Sequence, residues 1–122
     1  MEAGHEVVVL DNLSSGHLAN LAHLASSELL SVGQLDLANC DNLAESLVGA
    51  HWVFHLAALA DIVPSITDPI KYHRSNVDGT VAILEASREA QVKRFVYAAS
   101  SSCYGIPDEI PTPETAPVRL MY

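Results

Sequence analysis

Positive charge is scarce in this 122-residue chain: six Lys and Arg stand against fifteen Asp and Glu, a formal net charge of -9 at pH 7. A surface so short of cations cannot neutralise a phosphate backbone, so no nucleic-acid partner is expected. Cysteine is nearly missing too. Cys40 and Cys103 lie far apart without C-x-x-C spacing, which predicts free thiols in a reducing compartment and argues against a disulfide framework or a zinc site. No apolar run approaches the roughly 18 residues of a membrane span, and the opening MEAGHE lacks the basic start and apolar stretch of a signal peptide. The expectation is a cytoplasmic protein without a membrane partner. Nor do the histidines form a metal site: His51 and His55 would lie about 13 Å apart along a strand, too far to share an ion.

Apolar side chains are plentiful. At 49% hydrophobic residues and a mean hydropathy of +0.21, the chain can build one core, and its length argues for a single unit or part of one. EVVVLDN (6–12) is a β-branched run ending in polar residues, as a strand buried on both faces reads. SSGHLANLAHLASS (14–27) can carry a helix with Leu18, Leu21 and Leu24 along one side. ELLSVGQLDL predicts a second strand ending near Asp36, and NCDNLAESLVGA a helix with Asp41 as N-cap and Gly49 past its end. HWVFHLAA is a third strand. Asp68 before Pro69 predicts the start of a long helix reaching about Ala90, with Ile70, Val77, Val81 and Leu84 on one face. KRFVYAAS is the fourth strand, and the proline-rich remainder is irregular. Alternating strands and helices imply an α/β fold, a parallel sheet with helices on both faces.

In such a sheet ligands bind beyond the carboxyl ends of the strands. Asp11 ends the first strand, where a carboxylate can accept hydrogen bonds from an adenosine ribose and repel a 2′-phosphate, or be a turn aspartate. Asp36 and Leu37 end the second: the carboxylate can take an adenine amino group and the leucine can lie on the ring, although Asp is common in turns. Ala57 and Ala58 after the third strand leave room for a cofactor at the backbone, or simply for a helix. The fourth strand runs into three serines, SSSCYG.

VVVLDNLSSG, DLANCDNLAESLVGAHWVFHLAA, PSITDPIKYHRSNVDGTVAILEASREAQVKRFVYAASSSCYG and PTPETAPV resemble, in order and spacing, the extended short-chain dehydrogenase/reductases of the NAD-dependent nucleotide-sugar epimerase/dehydratase family. The most specific parts are HLAA, NVDGT and SSSCYG. The resemblance implies a Rossmann-type doubly wound sheet and bound NAD. It also implies a nucleotide-sugar substrate, a UDP-sugar, and a homodimer for the full-length enzyme. Ser100, four residues before the Tyr-Gly pair, resembles the family's catalytic Ser/Thr, which hydrogen-bonds the sugar oxygen while a tyrosine phenolate takes its proton. Ser101 and Ser102 are second choices, and serines that merely cap the strand end are the alternative. Asp11, Asn12, Ser14, Ser15 and Gly16 resemble the segment around the adenosine ribose and its phosphate. Asp36 and Leu37 match the adenine contacts, Leu56, Ala57 and Ala58 the pyrophosphate and nicotinamide side, and Asn76 the helix asparagine near the cofactor. Asp61 and Ser65 stand where the family's loop approaches the sugar. Gly79 within the helix implies close packing against the sheet.

The departures are as informative. The family's opening strand with G-x-x-G-x-x-G is missing, so the first βα unit, about thirty residues, is expected upstream of a partial sheet. There is no Tyr-x-x-x-Lys pair and no C-terminal substrate part. Tyr122 follows Met121 and has no lysine four residues on, so it is expected to be a loop residue and the chain alone inactive. An internal piece of a UDP-hexose or UDP-N-acetylhexosamine 4-epimerase is the leading expectation. A dehydratase is disfavoured because its usual Thr-Asp-Glu would put an acid and a base where Ser101 and Ser102 stand. A non-catalytic nucleotide-binding module is the alternative from another class.

Overall fold

The computed structural model describes residues 3–119. Four short strands form on the β-branched and aromatic runs: β1 (Val7–Asp11), β2 (Leu30–Gln34), β3 (Trp52–His55) and β4 (Arg94–Tyr97). They pair in parallel, β1 with β2 from Val7 opposite Leu30 to Asp11 opposite Gln34, and β3 with β4 from Trp52 opposite Arg94 to His55 opposite Tyr97. Parallel neighbours need a crossover. The first pair is connected through the 3-10 segment Leu18–Leu24, and the second through α1 (Ile62–Thr67), α2 (Pro69–His73) and α3 (Gly79–Glu89). Among the described residues no ladder joins β1 to β3. The described residues thus form two small parallel sheets, a partial Rossmann-type fold.

The helix expected from Asp68 to Ala90 is present as α2 and α3, joined by a π turn over Arg74–Asp78. Asp68 caps it by accepting the Lys71 N–H at 3.2 Å, and Pro69 sits in the first turn, where no N–H is needed. At its far end Gln91 adopts a left-handed φ of 55°. Val92 N–H then reaches the Ser87 carbonyl at 2.9 Å and Gln91 N–H the Arg88 carbonyl at 3.2 Å, so two orphan carbonyls are satisfied in a Schellman turn.

Ile83 and Ala86 of α3 are buried against Leu43 and Leu47 of the 3-10 segment Leu43–Leu47. Leu10, Leu35, Leu37, Val53 and Phe95 pack around them.

Several local expectations are corrected. Residues 18–24 form a 3-10 segment instead of an α-helix: no side chain caps it, none of its residues is buried, and short helices depend on such packing. The second segment begins after Asn42, not Asp41, again without a side-chain cap, while Gly49 lies past its end at φ 81° as expected. Ile70, Val77, Val81 and Leu84 do not face the core. All four are exposed, and the smaller residues Gly79, Ala86 and Ser87, with Ile83, take the buried face because they let α3 approach closely. Gly79 packs on the segment after β2 and not on the sheet itself; a Cβ there would stand 3.4 Å from Leu37 Cβ. The short helix α1 was not anticipated, since its Pro64 reads as a breaker; in the first turn it is tolerated.

Gln91→Gly removes the left-handed strain while keeping both Schellman bonds. It is expected to stabilise the chain by about 1 kcal/mol, measured as a rise in the urea midpoint at unchanged m-value.

Candidate functional site

The carboxyl ends of β1, β3 and β4 bring most of the expected site residues to loops. Asp11, the last residue of β1, is half-buried, and its Oδ1 accepts the Leu13 N–H at 2.7 Å. Asn12 repeats the device one step on, with Oδ1 accepting the Ser14 N–H at 2.9 Å. These two turns wind the chain around the carboxylate, and Leu13 takes a φ of 57° to allow it. Gly16 closes the loop. A Cβ at that position would stand 2.6 Å from Asp11 Oδ2, so a larger residue would push the carboxylate out of its place. Ser14 and Ser15 between them are exposed.

Asp36 is exposed and serves its own turn: Oδ1 accepts the Ala38 N–H at 3.0 Å and Oδ2 the Asn39 side-chain amide at 3.2 Å. Leu37 packs against the core beneath α3. Leu56, Ala57 and Ala58, beyond β3, are all exposed. The loop they begin is held at Leu59, whose N–H donates to Asn76 Oδ1 while Asn76 Nδ2 donates to the Leu59 carbonyl, both at 2.8 Å. One carboxamide thus pairs with the backbone as a neighbouring strand would.

Asn76 lies in the π turn. Its carbonyl accepts the Thr80 hydroxyl at 2.7 Å, and Thr80 Oγ1 is 2.8 Å from His55 Nε2. His55, the last residue of β3, is only 4% exposed; its ring stacks on Tyr97 at 5.6 Å and tilts against Phe95 at 5.9 Å. Burial pushes its pKa below the ordinary histidine value. Sequence reasoning missed His55 and Thr80. The signal was His55 closing an otherwise apolar strand, with Thr80 one helical turn after Asn76.

Asp61 precedes α1 without a side-chain capping bond, and the Ser65 hydroxyl donates to the Ile62 carbonyl at 2.6 Å. Ser100 is the N-cap of the short 3-10 turn Ser101–Tyr104, its Oγ accepting the Ser102 N–H at 3.2 Å. Ser100, Ser101 and Ser102 are exposed. Arg119 N–H donates to the Cys103 carbonyl at 2.9 Å, folding the end of the described chain back on this turn. Tyr122 lies outside the described residues. Among them no group of three His, Cys, Asp or Glu is placed to hold a metal, and no helix is long and apolar enough to cross a membrane.

A profile of the NAD dependent epimerase/dehydratase family matches residues 1–121. The UDP-glucose 4-epimerase of Streptomyces lividans is 38% identical over 119 residues, covering 98% of this chain and 36% of the relative. Among solved structures, a UDP-glucose-4-epimerase from Stenotrophomonas maltophila with bound NAD and formylated UDP-arabinopyranose superposes with a TM-score of 0.86 at 28% identity, over 98% of this chain and 37% of that one. DesIV, a dTDP-glucose 4,6-dehydratase from Streptomyces venezuelae with NAD bound, gives 0.84 at 31% identity, over 94% and 36%. The chain spans about a third of the length of the relatives it matches.

The lowered His55 pKa fixes a pH dependence. A buried histidine held neutral contributes stability that is present above the unfolded value of about 6.5 and is lost as pH falls from there towards the folded value. His55→Gln, which cannot titrate, is expected to remove this component. Urea titrations between pH 7.5 and 5 should show the wild-type chain losing more stability than the variant; parallel curves would contradict it.

Proposed function

Since the chain belongs to the NAD-dependent epimerase/dehydratase family, we propose that it is an internal part of a nucleotide-sugar 4-epimerase, and that a UDP-hexose or UDP-N-acetylhexosamine is the substrate of the whole enzyme. In this reading residues 1–122 are part of the NAD-binding domain, and the glycine-rich turn and the substrate part belong to the rest of a cytoplasmic protein. The observation that carries it is the Asp11 carboxylate, ringed by its own loop at the end of β1 with the space for it kept by Gly16. That cradle fits a ribose diol, and the exposed stretch 56–58, with small side chains at Ala57 and Ala58, fits a diphosphate passing close to the chain.

NAD, when bound, supplies the acceptor and later the donor of a hydride from the sugar carbon. The chain's own residues orient and hold. Asp11, Asn12, Ser14, Ser15 and Gly16 take the adenosine ribose side, Asp36 and Leu37 border the adenine, and Leu56, Ala57, Ala58 and Asn76 shape the nicotinamide side. Ser100 is the catalytic hydroxyl. Because its Oγ already accepts the Ser102 N–H, its own hydrogen is free for the sugar oxygen as that oxygen gains charge. Ser101 offers a second hydroxyl beside it. Ser65 spends its hydrogen on Ile62, so it presents lone pairs to a sugar hydroxyl, as Asp61 does. The base is a tyrosine other than Tyr122, and the isolated chain transfers no hydride.

The relatives named as UDP-glucose 4-epimerases support epimerisation. The likeness to a dTDP-glucose 4,6-dehydratase supports dehydration as a second reading; Ser101 and Ser102, which cannot act as a carboxylate acid and base, weigh against it. The stripe of Ile70, Val77, Val81 and Leu84, exposed along one helix at near-heptad spacing, supports a homodimer of the whole enzyme.

In the intact enzyme, Asp11→Ala is expected to weaken NAD binding by about 1–3 kcal/mol and NADP binding less. Equal losses in a titration would remove Asp11 from the ribose, and NAD binding without turnover of any UDP-hexose would favour the non-catalytic module. Val81→Glu should shift the intact enzyme from dimer to monomer in sedimentation velocity, and an unchanged dimer would place the interface elsewhere.

A further inference from the structure

His55 belongs to a strand, not to any loop that reaches a ligand, yet its hydrogen bonding is coupled to the loop over 56–61. The Thr80 hydroxyl has one hydrogen, and at 2.7 Å from the Asn76 carbonyl that hydrogen is committed. The 2.8 Å contact between Thr80 Oγ1 and His55 Nε2 therefore requires the imidazole to donate, so neutral His55 carries its hydrogen on Nε2. The chain of donors runs from His55 to Thr80 to the Asn76 carbonyl, and the Asn76 carboxamide makes the two bonds that hold Leu59. Around it, the Tyr97 ring stacks and the Phe95 ring tilts against an imidazole that is itself buried. The Asn76 carbonyl sits inside a π turn, where the regular ladder is interrupted, and the Thr80 hydroxyl, four residues on in the same helical run, bonds it there.

We propose that His55 is a positioning residue: through Thr80 it sets the π turn and thereby the pairing of Asn76 with Leu59, which gives the loop after β3 one fixed path. This rests on the reading above that the loop lines the cofactor, but the relay exists in the chain without a ligand and is tested there first.

The test is amide hydrogen exchange on the intact enzyme without added substrate, with 15N shifts of the histidine rings. In wild type, neutral His55 should show the Nε2–H tautomer; the Nδ1–H tautomer would overturn the proposal whatever the variants do. His55→Leu and Thr80→Val should speed exchange at the Leu59 amide about tenfold, the effect of losing one buried hydrogen bond, while Val9 and Val32 in the other strand pair keep their rates. His55→Gln, whose side-chain amide can place a donor near the Nε2 position, should restore most of the Leu59 protection. Unchanged Leu59 exchange in His55→Leu overturns the relay, and so does an equal acceleration at Leu59, Val9 and Val32. NAD titration of the same variants in the intact enzyme separates the two readings. Altered Leu59 exchange with unaltered NAD affinity would leave the relay standing and remove the loop from the cofactor.

Discussion

What holds this molecule together is a contact between helical segments, because among the described residues no hydrogen-bond ladder joins the two strand pairs. Ile83 and Ala86 of α3 meet Leu43 and Leu47, and the surrounding shell draws Leu10 and Leu35 from the first pair's side and Val53 and Phe95 from the second. In an unbroken parallel sheet backbone bonds and side-chain burial share this task. Here burial carries the connection between the halves. That explains the small residues on the inner face of α3: Gly79 lets Leu37 reach the helix, and Ser87 returns its hydroxyl to the Ile83 carbonyl, so even a polar group fits without an unmet bond.

The same economy governs the loops. Before any ligand arrives, Asp11, Asn12, Asp36 and Ser100 each accept a backbone N–H two residues ahead. Such local bonds substitute for the ladder that ends at the strand terminus. Turn-making and recognition are therefore not rival accounts of these side chains. A carboxylate has more than one lone-pair site per oxygen, and a hydroxyl that accepts still has its hydrogen to give. Asp36 is the most committed of the four, with both oxygens engaged inside its own turn.

Strand identity and the start of the long helix were legible because they rest on local signals: β-branched runs for β1 to β4 and an Asp-Pro pair at its N-terminus. The strand pattern put Asp11 at the end of β1 as found, but it ran the third and fourth strands on through Ala58 and Ser100, where β3 ends at His55 and β4 at Tyr97. The buried face of α3 was not legible, since hydrophobicity alone favours the bulky stripe at Ile70, Val77, Val81 and Leu84, whereas close approach selects Gly79 and Ala86. The π turn left no mark in residue type. The His55–Thr80–Asn76 connection was hidden for a different reason: it links residues 25 apart, and its meaning lies in which atom holds a hydrogen, a matter of geometry that spacing does not encode.

The aromatic residues are distributed as unevenly as the ladders. The chain has one tryptophan, Trp52, which lies on β3 with Arg94 over its ring at 4.7 Å and Phe54 stacked at 6.0 Å. Every Phe and Tyr also follows it in sequence, so residues 3–51, including both strands of the first pair, contain no Trp, Tyr or Phe. Intrinsic emission and near-ultraviolet dichroism therefore view only the β3–β4 half. Loosening of the β1–β2 half would be optically silent, and an apparently single transition followed through Trp52 would describe half the molecule.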